Sequence, residues 1–134
     1  MTIVICADKN GGTLFNNRRQ SRDSKLIEDM VSFARDKAIF ASPYSEKLFS
    51  GVNCSLNLCE NYLEAAKDGD ICFAEKEDIT PYLSKVDGLV LYRWSKVYPA
   101  DRFFDPESFG FRLKEKTDFP GSSHDSIDRE VYVK

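Results

Sequence analysis

Leu89-Val90-Leu91-Tyr92 is the stretch that most restricts what this chain can fold into. It follows an acidic turn, Asp87-Gly88, and leaves through a basic, aromatic exit, Arg93-Trp94. Lys96 and a Pro99-Ala100-Asp101 turn then lead into Phe103-Phe104. A continuous apolar run bounded by turn signals reads as a strand buried on both faces. Such a strand belongs inside a sheet, with helices covering both sides.

The other segments fit that frame. Ile3 to Ala7 is a second short apolar strand, ended by Asp8-Lys9-Asn10-Gly11-Gly12, residues that tolerate positive φ. Asn16 to Arg22 reads as a polar loop. A helix starts at Asp23 or Ser24, either of which can cap it, and carries an apolar stripe of Leu26, Ile27, Met30, Val31, Phe33 and Ala34. Ala38 to Ala41 is a strand. Ser42 caps a short helical stretch that has Pro43 at its first position and ends at Phe49. Gly51 to Leu56 is open between weak strand and loop. Glu60 to Lys67 reads as a helix stopped by Asp68-Gly69-Asp70, followed by a strand at Ile71 to Ala74 and a helical turn at Ile79 to Leu83. Arg112 to Phe119 and Ile127 to Val133 alternate in polarity across Pro120-Gly121-Ser122-Ser123, which predicts an antiparallel hairpin. The expected fold is α/β and three-layered, with a mostly parallel central sheet and an antiparallel C-terminal hairpin, in a single domain over residues 1–134.

Composition narrows the function classes. No apolar run approaches the roughly 20 residues of a membrane span. The MTIVICAD start lacks a basic leader, so the expected compartment is the cytoplasm. A net charge of −3 gives no overall attraction to nucleic acid, and no basic, aromatic stripe runs along any helix. Nucleic acid is therefore a disfavoured partner. Cys6 and Cys72 lie in strand-like runs as small buried hydrophobes, and Cys54 and Cys59 have the wrong spacing for a zinc knuckle. The lone His124, among Ser122, Ser123 and Asp125, reads as an exposed loop residue. There is no Gly-x-Ser-x-Gly, and no catalytic residue, metal ligand or cofactor is assigned.

The order of elements resembles dihydrofolate reductase. The first strand with Asp8-Lys9-Asn10-Gly11-Gly12 and Asn16-Asn17 is similar to that family's first strand and active-site loop. Ile39-Phe40-Ala41 before Pro43-Tyr44-Ser45-Glu46 stands where the family has a Gly-Arg-x-Thr turn. The resemblance is strongest over Val86–Phe104, where Ala100-Asp101-Arg102-Phe103-Phe104 is similar to its Gly-Asp-x-x-Phe turn, and the tail is similar to its last hairpin. The departures bear on chemistry. The carboxylate that the resemblance implies on the first helix falls on Leu26, and on Asp23 only if the preceding loop were three residues shorter. The paired glycines that admit a pyrophosphate fall on Ala74-Glu75-Lys76-Glu77. The phosphate-gripping arginine is Ser42, the threonine beside it is Tyr44, and the strand-end threonine is Tyr92. The chain is also similar to short bacterial chains that share N-N-R-R-Q-S-R-D and L-Y-R-W-x-x-V-Y-P-A-D segments and carry the name ribonuclease Z. That activity needs a His-rich dinuclear zinc site, which one histidine cannot build, so the name reads as a misassignment.

The functional expectation is a catalytically degenerate, reductase-like binding or regulatory module for an anionic small molecule or a partner protein. Its candidate ligand residues are Arg18, Arg19, Arg22, Tyr92, Arg93 and Trp94, converging at strand carboxyl ends. The competing reading of these arginines is an internal salt-bridge network with Asp8, Asp23, Asp101 or Glu28. The alternatives for the whole chain are an NADPH-dependent reductase with an altered site, and an RNA-binding protein or nuclease.

Overall fold

A computed structural model describes every residue from Met1 to Lys134. In chain order the elements are β1 (Thr2–Ala7), β2 (Gly12–Phe15), β3 (Arg18–Arg19), α1 (Ser24–Ala34), β4 (Ile39–Ala41), β5 (Leu56–Leu58), α2 (Tyr62–Ala65), β6 (Ile71–Phe73), β7 (Gly88–Trp94), β8 (Arg102–Phe103), β9 (Arg112–Phe119) and β10 (Ile127–Val133). Short 3₁₀ turns occupy Pro43–Phe49, Thr80–Lys85 and Pro106–Phe109. No helix is long and apolar enough to cross a membrane.

Seven strands form one sheet in the order β5-β4-β6-β1-β7-β10-β9. The first five are parallel; β10 runs antiparallel to both β7 and β9. The expected mixed sheet with its antiparallel C-terminal pair is therefore present. β1 and β7 pair along their full lengths, from Thr2 opposite Gly88 to Ala7 opposite Arg93.

Successive side chains of a strand point to opposite faces, so a strand with both faces covered must be apolar throughout. Ile3, Ile5, Leu89 and Leu91 enter one cluster with Tyr62, Leu63, Leu83 and Val86. Val4, Val90, Tyr92 and Trp94 enter the other with Leu26, Ile27, Met30 and Phe49. Each fully buried aliphatic side chain of this kind contributes about 1.5–3 kcal/mol relative to exposure. α1 begins where the sequence places it: Asp23 is extended (φ −157°, ψ 126°) and accepts from the N–H of Lys25. Ser42 likewise accepts from the N–H of Tyr44, with Pro43 at the first position.

Three expectations need correction. The segment Asn16–Arg22 is not all loop, because Asn16 and Asn17 both take left-handed conformations (φ 50° and 57°) and turn β2 back onto β3. Two such residues make the tight hairpin turn that matches strand twist. β8 adds to the other side of β2, giving a second sheet, β3-β2-β8. The helix expected over Glu60–Lys67 shrinks to Tyr62–Ala65, since Asn61 gives no side-chain cap and Ala66 is already extended. The stretch Gly51–Leu56, open between weak strand and loop, is loop as far as Ser55; β5 begins at Leu56 and adds to the free edge of β4.

Candidate functional site

β1 lies between β6 and β7, and the chain passes from one side of β1 to the other between those two strands. At such a switch the connections diverge, and the carboxyl ends of the strands open a crevice. A cavity of about 230 Å³ lies there. Ile5 and Cys6 of β1, Ala74 and Glu75 beyond β6, and Trp94 at the end of β7 line it on the side of the main sheet. Thr13, Arg19, Arg102 and Phe103 line it from the small sheet, which closes the opposite side. Phe104 and Phe109 stack nearly parallel at its wall, with centroids 5.5 Å apart and planes 10° apart.

The two most buried charges in this cavity are matched to each other. The Arg19 guanidinium forks onto Glu75, with Nε 2.7 Å from Oε2 and an Nη 2.9 Å from Oε1. It also donates to the carbonyl of Tyr44 at 3.2 Å and lies 4.3 Å from the centre of the Tyr44 ring. The hydroxyl of Ser45 donates to the same Glu75 at 2.7 Å. The bond from Glu75 pushes the pKa of Arg19 further up, so this cation is permanent. Glu77 accepts from the hydroxyl of Tyr62, and Arg102 donates to the carbonyl of Lys76. Burial, with the nearby Glu75 adding to it, pushes the Cys6 thiol well above its ordinary range despite Arg19, so it is not a thiolate at neutral pH.

Asp8, at the end of β1, fixes the small sheet to the large one. It is 1% exposed and accepts from the N–H groups of Asn10 (2.8 Å), Gly12 (2.9 Å) and Tyr98 (3.1 Å), and from the side-chain amide of Gln20 (3.0 Å). Burial works to raise its pKa, but those donors outweigh it and hold the carboxyl below its usual value. Gly12 must be glycine, because a Cβ there would sit 2.6 Å from that of Ala100 and 2.8 Å from the Asp8 carboxylate.

The six residues singled out by sequence do not meet in one cleft. Arg19 and Trp94 share the cavity just described. Arg18 lies in a more open hollow with Phe15, Tyr98 and Pro99, which Arg19 also borders, and Arg22 lies in another beside Lys47 and Ser122. Tyr92 and Arg93 are consecutive on β7 and so project to opposite faces. Tyr92 is fully buried and donates to Asp29 on α1 at 2.7 Å, while Arg93 forks onto Glu130 of β10 at 3.0–3.3 Å. Arg19 and Arg93 are thus held by Glu75 and Glu130, carboxylates other than the four the sequence offered as partners.

His124 is the plainest correction. It is buried, 6% exposed, because four hydrogen-bond contacts, one of them to Ser123 Oγ at 3.3 Å, and a ring stack replace its water. Its Nδ1 lies 3.0 Å from Asp23 Oδ2, and its Nε2 lies 2.8 Å from the Tyr98 hydroxyl and 3.1 Å from that of Ser21. Trp94 stacks on the imidazole at 4.4 Å. Asp23 also accepts from the N–H groups of Ser122 (2.9 Å) and Ser123 (2.8 Å). Burial favours its protonation, but the Ser122 N–H, His124 and the Ser123 N–H more than reverse this, leaving its pKa far below the carboxylate range. Ser21, Tyr98 and Glu75 escape sequence reasoning because their partners lie 26 to 103 positions away. No group of three or more His, Cys, Asp or Glu side chains is placed to hold a metal ion.

The sheet order, its antiparallel tail and the crevice beside β1 define a mixed α/β scaffold with a switch-point cleft. Among solved structures, the chain is similar to dihydrofolate reductase from Enterococcus faecalis complexed with NADP(H) and RAB-propyl. The TM-score is 0.65, the identity 8%, and the likeness covers 98% of this chain and 94% of that one. The chain therefore has the dihydrofolate reductase-like fold. No protein-family model matches it, and no curated protein matches it in sequence.

Proposed function

We propose that this chain is a binding module on a reductase scaffold that has lost the reductase chemistry. Its ligand is a small, largely uncharged molecule with an aromatic portion, held in the cavity between β1, β6 and the small sheet. The observation that carries this reading is the Arg19–Glu75 fork, which already neutralises the cavity's most buried cation. An anionic ligand on Arg19 would have to displace Glu75 and leave a carboxylate 9% exposed without its partner, which is costly, and Arg102, the cavity's other cation, already donates to the Lys76 carbonyl beside Glu75, Glu77 and Asp78. We therefore read the ligand as neutral, resting against Phe104, Phe109 and Trp94 and bonding to the carboxylates of Glu77 and Asp78.

Two further features support the loss of reduction. Leu26, where the resemblance implies a carboxylate, is 1% exposed and packs in the core under α1. The nearest acid one turn on, Asp29, is bound by Tyr92 and by Arg129 at 2.8 Å, and it does not line the cavity. The volume also lies below the roughly 300–1,000 Å³ of sites for drug-sized molecules, so a dinucleotide is a poor fit.

Indole and benzamide, titrated separately into ¹⁵N-labelled protein, test this. The expected shifts concentrate on the Trp94 indole N–H, the Arg19 Nε–H and the amides of Ala74 and Glu75. Inorganic phosphate should leave those signals in place. Saturable phosphate shifts at Arg18, Arg19 or Arg22, without any response to the aromatic probes, would restore the anion site and remove the neutral one.

A further inference from the structure

Ser21, His124 and Asp23 form a relay at the edge of the cavity. Ser21 Oγ is 3.1 Å from His124 Nε2, and His124 Nδ1 is 3.0 Å from Asp23 Oδ2. The order of contacts is the one that activates a serine: a carboxylate holds the proton on Nδ1, which leaves the Nε2 lone pair facing the hydroxyl. The carboxylate is rigid, since the Ser122 and Ser123 N–H groups bind it and the Asp23 side chain has no exposed surface. Trp94 lies face to face with the imidazole, with planes 23° apart, and an aromatic face favours an imidazolium over the neutral ring. Of the three relay residues, only Ser21 lines the cavity.

We propose that Ser21 is a nucleophile activated by His124, with Asp23 as the positioning residue, and that the cavity's ligand is a small uncharged carboxylic ester. The proposal rests on the reading of that cavity as a ligand site. In the first step Ser21 Oγ bonds to the ester carbonyl carbon and its proton passes to His124 Nε2. The carbon–oxygen bond to the alcohol then breaks, and the departing alkoxide takes the proton from Nε2, leaving acyl-Ser21. Water attacks the acyl carbon, giving its proton to Nε2, and Ser21 leaves with that proton restored. Ester and water become acid and alcohol. Tyr98 competes, because its hydroxyl lies 2.8 Å from the same Nε2. Its bond to that lone pair and the activation of Ser21 exclude one another.

An alkyl fluorophosphonate tests the nucleophile directly: its P–F bond breaks, fluoride leaves, and phosphorus bonds to Oγ. Intact mass and peptide mapping should show one adduct, on Ser21, that is absent in Ser21→Ala. Labelling should slow by about 100-fold or more in His124→Gln, as loss of a general base implies. Tyr98→Phe, which retains the ring packing, should label several-fold faster, an outcome that a purely structural histidine does not produce. Absence of labelling in the folded wild type overturns the proposal, as does a Tyr98→Phe rate equal to or below wild type. If indole and benzamide bind while the fluorophosphonate does not react, only the nucleophile falls. If neither engages the cavity, the reading of the ligand site falls with it.

Discussion

Replacing Asp23 by alanine is expected to destabilise the fold by about 3–5 kcal/mol, the cost of breaking a buried charged network. One carboxylate performs three tasks here. It caps α1 through the Lys25 N–H at 2.9 Å, anchors the β9–β10 loop through Ser122 and Ser123, and holds His124. Alanine frees all these donors at a site where the Asp23 side chain has no exposed surface, so they lose an acceptor that solvent does not readily replace. Urea unfolding at neutral pH measures the loss. The pH dependence follows from the lowered pKa. A carboxyl depressed in the folded state stabilises the fold at pH values above its unfolded pKa of about 3.9, and that stabilisation disappears as pH falls toward the folded value. Wild-type stability should therefore drop on acidification below about pH 4, and Asp23→Asn should reduce that slope, leaving the part carried by Asp8.

Arg93→Met is expected to cost about 3 kcal/mol, because it strands Glu130, whose side chain is only 8% exposed. Arg93 binds both oxygens of Glu130 and the carbonyl of Asp8 at 3.0 Å, joining β10, β7 and the end of β1. The Tyr132 hydroxyl, 2.9 Å from Glu130, completes the group, and burial together with that bond pushes its pKa up to about 12. Removing both charges in Arg93→Met/Glu130→Met should recover most of the loss, since a well-packed apolar pair can replace a buried ion pair. A double mutant no more stable than Arg93→Met alone would show that Arg93 acts through something other than Glu130. The cycle thus measures how far a residue that reads as a ligand contact serves as structure.

The central sheet was legible because burial on both faces leaves a direct trace. Ile3–Ala7 and Leu89–Tyr92 are apolar at every position, and β10 buries Ile127, Glu130 and Tyr132 between half-buried neighbours; β9, expected to alternate, is exposed up to Asp118 because it forms the sheet's edge. The caps at Asp23 and Ser42 were legible as well, since capping is decided within three residues. What escaped depends on contacts distant in sequence. β3 and β8 are two residues each and exist only because β2 lies between them. Glu75 read as an obstacle to phosphate; nothing near it announces Arg19, 56 positions away, as its partner. His124 sits among polar turn residues, and its burial follows from Trp94, Tyr98 and Asp23 arriving from other elements. Arg93 and Tyr92 looked like one basic, aromatic exit, yet strand geometry sends them to opposite faces.

Trp94 is the only tryptophan and lines the cavity, so its emission reports directly on whether a nicotinamide cofactor enters there. The purified protein would be titrated with NADPH, with NADH and benzamide as comparisons. The proposed loss of reduction, with Glu75, Lys76 and Glu77 where the resemblance implies paired glycines, predicts no saturable change with NADPH up to millimolar concentration, and a saturable change with benzamide. Saturable quenching by micromolar NADPH that depends on its nicotinamide ring would contradict the claim that this fold has been turned away from reduction.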